Sequence, residues 1–140
     1  MDSCTQGGTT RWMSPELLEL EISDHRRTKS SDCYALGMVI YEVLSGHVPF
    51  PRFMDQAVAL KVQRGDRPER PKGVEGRWFT DDVWRILEGC WQPKPDDRPS
   101  AQDVFQSWEH LEPVSGLWTP PSPTADSLRS VDPSTWSNSR

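Results

Sequence analysis

The sequence predicts an all-α domain over residues 1–112 and a disordered tail over residues 113–140. Three observations carry that prediction. Apolar residues recur at helical spacing in several segments, each bounded by a capping residue and a glycine or proline stop. No segment shows the strict apolar-polar alternation of a half-buried strand, and no internal repeat stands out. Past residue 112 proline, serine and threonine dominate, and apolar residues are too sparse to offset the entropy of ordering the backbone.

The elements follow in order. Residues 7–16 read GGTTRWMSPE. The two glycines favour a loop, and Pro15 suits the first position of a short helix over residues 16–20, where a backbone N–H would have no helical partner anyway. Residues 22–29 are polar and lead to Ser30 and Ser31, whose hydroxyls are placed to cap the next helix. That helix, residues 32–45, reads DCYALGMVIYEVLS and is apolar on nearly every face, which predicts burial all round at the structural centre. Gly46 supplies a left-handed cap, and Pro49 prevents continuation. Met54, Ala57, Val58 and Val62 predict a helix over residues 54–64, with Gly65 as its stop. Residues 66–77, rich in proline, glycine and charge, read as a loop. Thr80 then caps a helix whose Asp81 and Asp82 complement the positive end of its dipole. Val83, Trp84, Ile86, Leu87, Cys90 and Trp91 form its broad apolar stripe. After the loop QPKPDDRP, Ser100 and Asp103 make a reciprocal capping pair for a last helix, with Val104, Phe105, Trp108 and Leu111 inward and its end near Glu112.

Composition removes several classes of function. The net charge is −5, from 16 basic and 21 acidic residues without a basic block, so neither nucleic acid nor an anionic membrane surface is expected as a partner. The longest uncharged apolar run, residues 35–41, is far too short to span a bilayer, and the start of the chain has no basic segment followed by an apolar one. An intracellular, cytoplasmic protein is expected. Cys4, Cys33 and Cys90 are odd in number and widely spaced, which predicts neither a disulfide framework nor a zinc site, and Cys33 and Cys90 fall in helical patterns as buried thiols.

Three motifs stand in order along the chain. Gly8, Thr9, Thr10, Arg11, Trp12, Met13, Ser14, Pro15 and Glu16 resemble the end of a protein kinase activation segment, written G-T-x-x-Y/W-M-A/S-P-E. Sixteen residues past Glu16, residues 32–44 resemble the kinase helix D-V-Y-S-F-G-V-V-L-Y-E-L-L, followed by Gly46, Val48, Pro49 and Phe50 in a G-x-x-P-F setting. Cys90, Trp91, Pro95, Arg98, Pro99 and Ser100 match C-W-x-x-x-P-x-x-R-P-S, found near the end of tyrosine kinases and tyrosine-kinase-like serine/threonine kinases. The resemblance covers residues 7–111 and implies a partial helical C-lobe of the protein kinase fold: the end of the activation segment plus about five helices.

The resemblance also implies roles. Read from the residues alone, Glu16 and Arg98 would form at most a surface pair worth about 0–1 kcal/mol; the family pairs them in a largely buried ion pair that tethers the activation segment. Asp32 alone is an acid in a first helical turn; in kinases the matching aspartate anchors the catalytic loop. Thr9 matches the threonine that contacts the catalytic groups of serine/threonine kinases, and Thr10, Arg11, Trp12 and Met13 would face the substrate beside the phosphoacceptor. Gly8 and Thr9 favour the tyrosine-kinase-like serine/threonine group, although Arg11, Trp12 and Met13 also resemble tyrosine kinases, so tyrosine stays open as the phosphoacceptor.

A complete parent of this kind uses ATP and Mg²⁺, held by a glycine-rich loop, a strand lysine, an H-R-D-x-x-x-x-N loop and a D-F-G aspartate. None of these is in the sequence. Asp24-His25-Arg26-Arg27 puts arginine where the catalytic aspartate belongs and reads as a solvated charged loop. No catalytic, cofactor-binding or metal residue is therefore assigned to this chain, which is not expected to be active alone. The alternative is a pseudokinase-like interaction or decoy module. Without the catalytic loop, one face of the helix at 32–45 should lie bare, which predicts poor solubility and a partner such as the missing N-terminal kinase half, a protein substrate or a chaperone.

Overall fold

The computed structural model describes residues 10–19 and 26–111. Among them are five α-helices, α1 (Pro15–Leu18), α2 (Lys29–Ser45), α3 (Asp55–Gln63), α4 (Asp81–Cys90) and α5 (Ala101–Glu109), together with three short 3₁₀ turns and no strand. The fold is thus the all-helical one that the sequence predicts. The segment at 113–140, expected to be disordered, lies outside the described residues, as do Cys4, Thr9, Asp24 and His25.

The caps explain most boundaries. Gly46 ends α2 in the left-handed region at φ 74°, its N–H donating to the Glu42 carbonyl, as a glycine without a Cβ can do at no steric cost. Thr80 accepts from the Val83 amide at the start of α4. Ser100 and Asp103 form the reciprocal pair predicted for α5. The start of α2 differs from the reading of Ser30 and Ser31 as caps. The helix begins at Lys29 and Thr28 is its cap, with the Thr28 hydroxyl accepting from the Ser31 amide and the Ser31 hydroxyl accepting from the Thr28 amide. Thr28 has the extended backbone, φ −122° and ψ 166°, that a capping residue needs.

The core forms where α2 crosses α4 and reaches α3. Tyr34, Met38, Val58, Val62, Leu87 and Cys90 are fully excluded from water, each large apolar side chain contributing about 1.5–3 kcal/mol of burial. Gly37 permits the close approach of α2 to α4. A Cβ at that position would stand 2.7 Å from Trp91 Nε1 and 2.8 Å from Cys90 Cβ. Tyr41, Phe79, Trp84 and Trp91 make a row of ring contacts with centroids 5.5–6.1 Å apart, the tilted and edge-on geometries that ring quadrupoles favour. Cys33 and Cys90 are buried, and burial pushes the Cys90 thiol up to about 12. Both are packing groups at neutral pH.

Three apolar expectations are corrected. Helix α2 is not buried all round: Leu36, Val39 and Val43, spaced three and four residues apart along one face, are 37%, 45% and 74% exposed. On α5 only Val104 is buried, while Phe105 and Trp108 face outward, and the helix ends at Glu109. Met54 is the residue before α3 and is exposed, so Val58 and Val62 are the buried residues of that helix. In each case helical spacing marks which residues share a face, but the packing partner decides whether the face is covered.

Candidate functional site

The segment from Thr10 to Glu16 is held at three points. Thr10–Trp12 is a 3₁₀ turn, closed by the Met13 amide donating to the Thr10 carbonyl at 3.2 Å. Pro15 then opens α1 at its first turn, where its fixed φ suits the helix.

The first hold is Arg11. Its Nη1 donates to the carbonyls of Pro49 and Phe50 at 2.9 and 2.8 Å, its Nη2 donates to the Phe53 carbonyl at 2.6 Å, and its Nε lies 3.0 Å from Asp55 Oδ1. The resemblance placed Arg11 toward a substrate; here the guanidinium is turned into the connection between α2 and α3. The second hold is Trp12, whose Nε1 donates to Glu42 Oε2 at 3.0 Å while the ring packs on the core. Thr10 and Met13 stay half-buried between these holds.

The third hold is Glu16 with Arg98. The guanidinium meets the carboxylate with two parallel bonds, Nη1 to Oε1 at 2.7 Å and Nη2 to Oε2 at 2.8 Å. The remaining donors reach carbonyls: Nη1 to Ser30 at 3.0 Å, Nη2 to Pro93 at 3.3 Å and Nε to Gln92 at 2.8 Å. All five N–H donors of the fork are thereby used, and the Arg98 side chain is fully buried while Glu16 keeps 27% exposure. Burial raises the Glu16 carboxyl, but hydrogen bonds from Arg98, from its own backbone amide and from Ser14, together with the Arg98 charge, jointly outweigh it and hold it below the ordinary glutamate value. Arg98 also stacks 5.2 Å from the Tyr34 ring, as does Arg67. Burial pushes the Tyr34 phenol up to about 12 against the pull of these cations.

Asp32 joins none of this. Its side chain is exposed in the first turn of α2, with no hydrogen-bond or ionic partner among the described residues. Leu36, Val39 and Val43 continue along the helix from it at the same spacing. The structure therefore brings Thr10 to Glu16 together with Arg98 and leaves Asp32 apart. Sequence reasoning missed the Arg11 clamp and the Trp12 to Glu42 bond, because their partners lie 30 or more residues away and three of them are carbonyls that any residue would supply.

In chemical terms the site fixes a loop. Among the described residues no three His, Cys, Asp or Glu side chains gather as a metal site would need. Nor is any described helix long and apolar enough to cross a membrane.

Comparison with known proteins shows the family. A profile of the protein tyrosine and serine/threonine kinase family matches residues 2–108. The dual specificity protein kinase pyk3 of Dictyostelium discoideum is 34% identical over 103 residues, which covers 73% of this chain and 7% of that protein. The serine/threonine-protein kinase STY17 of Arabidopsis thaliana is 33% identical over 105 residues, 74% of this chain and 17% of that one. The human proto-oncogene tyrosine-protein kinase ROS is 37% identical over 105 residues, 72% of this chain and 4% of that one. The chain thus spans a small part of each of these relatives. With the anchored loop, the central helix and the buried arginine in the order that the three motifs give, this chain belongs to the protein tyrosine and serine/threonine kinase family.

Proposed function

We propose that this chain is the C-terminal part of a kinase catalytic domain whose complete parent phosphorylates protein serine or threonine with ATP and Mg²⁺, and that the chain alone does not catalyse. The observation that carries this reading is the loop from Thr10 to Glu16, held by Arg11, Trp12 and the Glu16–Arg98 pair. Such a loop positions a polypeptide; it does not activate a nucleophile. The sequence carries no glycine-rich loop, catalytic-loop aspartate or D-F-G aspartate of the kind that holds a nucleotide and its metal. Phosphoryl transfer would draw on groups outside this sequence. The exposed stripe of Leu36, Val39 and Val43 would pack against that missing half, or against a chaperone in its absence. The expected location is the cytoplasm. Relatives named for serine/threonine, tyrosine and dual specificity leave the threonine at position 9 as the feature that favours serine/threonine.

A second reading rests on the same loop. Because residues 10–16 are anchored within this chain's own contacts, the chain is also suited to act as a non-catalytic decoy or scaffold for kinase substrates. An immunoblot of native extract with an antibody to residues 113–140 separates the two. A band well above 16.0 kDa that binds ATP supports the kinase reading. A single band near 16.0 kDa without nucleotide binding rejects it in favour of the decoy.

A further inference from the structure

A groove of about 580 Å³ runs between α4 and α5. Its floor is apolar: Ile86 and Leu111 pack on the core, Val104 is buried, and Pro99 lies against Gly89, 3.8 Å from where a Cβ would stand. Most of its charged groups are engaged. Asp82 and Arg85 pair with each other at 2.8 Å, and every N–H donor of Arg98 is already bonded. The exposed His110 ring meets the Gln106 carbonyl at 2.6 Å. One carboxylate is left over: Asp97 is exposed, with no side-chain hydrogen bond or ion pair among the described residues. An apolar floor with one unpaired acceptor suits an apolar side chain that carries one N–H donor, which describes tryptophan.

The chain itself delivers such a side chain. Leu111, where the described residues stop, forms one end of the groove, and Leu117 and Trp118 follow six and seven positions later. Seven extended residues reach up to ~24 Å, against a length of about 14 Å for the nine residues of α5. Residue 118 can therefore turn back over the whole groove. Residues 113–125 carry no charge, so doubling back places no ionised group against the apolar floor. A tether this short supplies an effective concentration on the order of 1 mM, and a groove affinity of about that size keeps the groove filled half the time.

We propose that the groove between α4 and α5 is the docking site of this chain's own segment 113–118, with Leu117 and Trp118 on the apolar floor and the Trp118 indole N–H donating to Asp97. Docking orders a short part of a segment whose composition otherwise favours disorder. The proposal concerns this chain alone and stands whether or not a parent kinase is active.

The test is hydrogen exchange read by mass spectrometry on the full 140-residue chain, with a free peptide of residues 113–123 as reference. Exchange of the amides at 114–118 is expected to be at least ~2-fold slower in the chain than in the peptide, the slowing that half-time occupancy gives. Ser107→Lys, at an exposed position on the groove wall, fills the groove with a long side chain that a helix accepts readily. It is expected to return the segment to the peptide's rate with an unchanged far-ultraviolet circular dichroism spectrum. L117S/W118S leaves α4 and α5 untouched and keeps the test readable should Ser107→Lys perturb folding; its segment is expected to exchange as fast as a peptide carrying the same two changes. Exchange at the peptide's rate in the unaltered chain overturns the proposal, as does slowed exchange that survives either substitution in a folded chain. Slowing that grows with chain concentration also overturns it, since the groove would then hold the segment of a second copy.

Discussion

The two sides of α2 contrast sharply. On one side Arg98 reaches Glu16 and the carbonyls of Ser30, Gln92 and Pro93, so that every donor of a fully buried guanidinium is met. On the other side Asp32 has no side-chain hydrogen bond or ion pair among the described residues, and Leu36, Val39 and Val43 are partly to largely exposed. The same helix is finished on one side and bare on the other. The difference teaches that the stability of this chain is concentrated where α2 meets α4 and the Arg98 loop, while the opposite face adds apolar surface without burial.

The largest expected effect lies on the finished side. Glu16→Ala leaves the Arg98 charge buried without its counter-ion, and the cost should be about 3–5 kcal/mol, measured by urea unfolding. A loss under about 1 kcal/mol would place the pair among ordinary surface bridges. Acid should produce part of the same loss. The folded carboxyl titrates below its ordinary value of 4.5, so its contribution is fully present above that pH and disappears as pH falls through the folded value. Glu16→Gln should therefore show a stability gap from the unaltered chain at neutral pH that narrows on acidification, and a gap constant with pH would remove the ion pair as its source.

Next in size is the contact between helices. Gly37→Ala puts a methyl group 2.7 Å from the Trp91 indole and 2.8 Å from the Cys90 Cβ, closer than either can accept without movement. Overpacking of this kind costs about 1–3 kcal/mol, offset in small part by the better helix propensity of alanine. A variant as stable as the unaltered chain would show that α4 moves freely away from α2. The smallest effect belongs to the bare side. Val43→Ser, at a position 74% exposed, should change monomer stability by no more than about 0.5 kcal/mol while reducing association in light scattering. A large loss of stability would mean that the stripe is covered in solution.

Legibility in the sequence follows the reach of each interaction. Caps act over three or four residues, so Gly46, Thr80 and the Ser100 to Asp103 pair could be read directly. The cap of α2 was misplaced because three hydroxyl residues stand close together at 28, 30 and 31, and only the extended backbone at Thr28 selects among them. Facing failed where it depends on a neighbour. Phe105 and Trp108 share a helical face with good apolar spacing, yet α5 meets α4 through Val104. Glu16 and Arg98 are 82 residues apart, and no local rule joins them; only the resemblance to the kinase family implies their pairing. Arg11 was read as facing a substrate, since sequence cannot show that carbonyls 38 or more residues away will converge on it.

The row of rings has a consequence of a different kind. Trp84 and Trp91 are 5.7 Å apart at 80°, with Tyr41 and Phe79 touching the same group. Two indoles fixed at that separation couple their electronic transitions, and the sign and size of the resulting signal depend on the angle between them. The chain thus carries its own optical gauge. A near-ultraviolet circular dichroism band from this pair should persist while α4 is seated against α2, and should vanish, with helix content retained, once the interior loosens into a molten state.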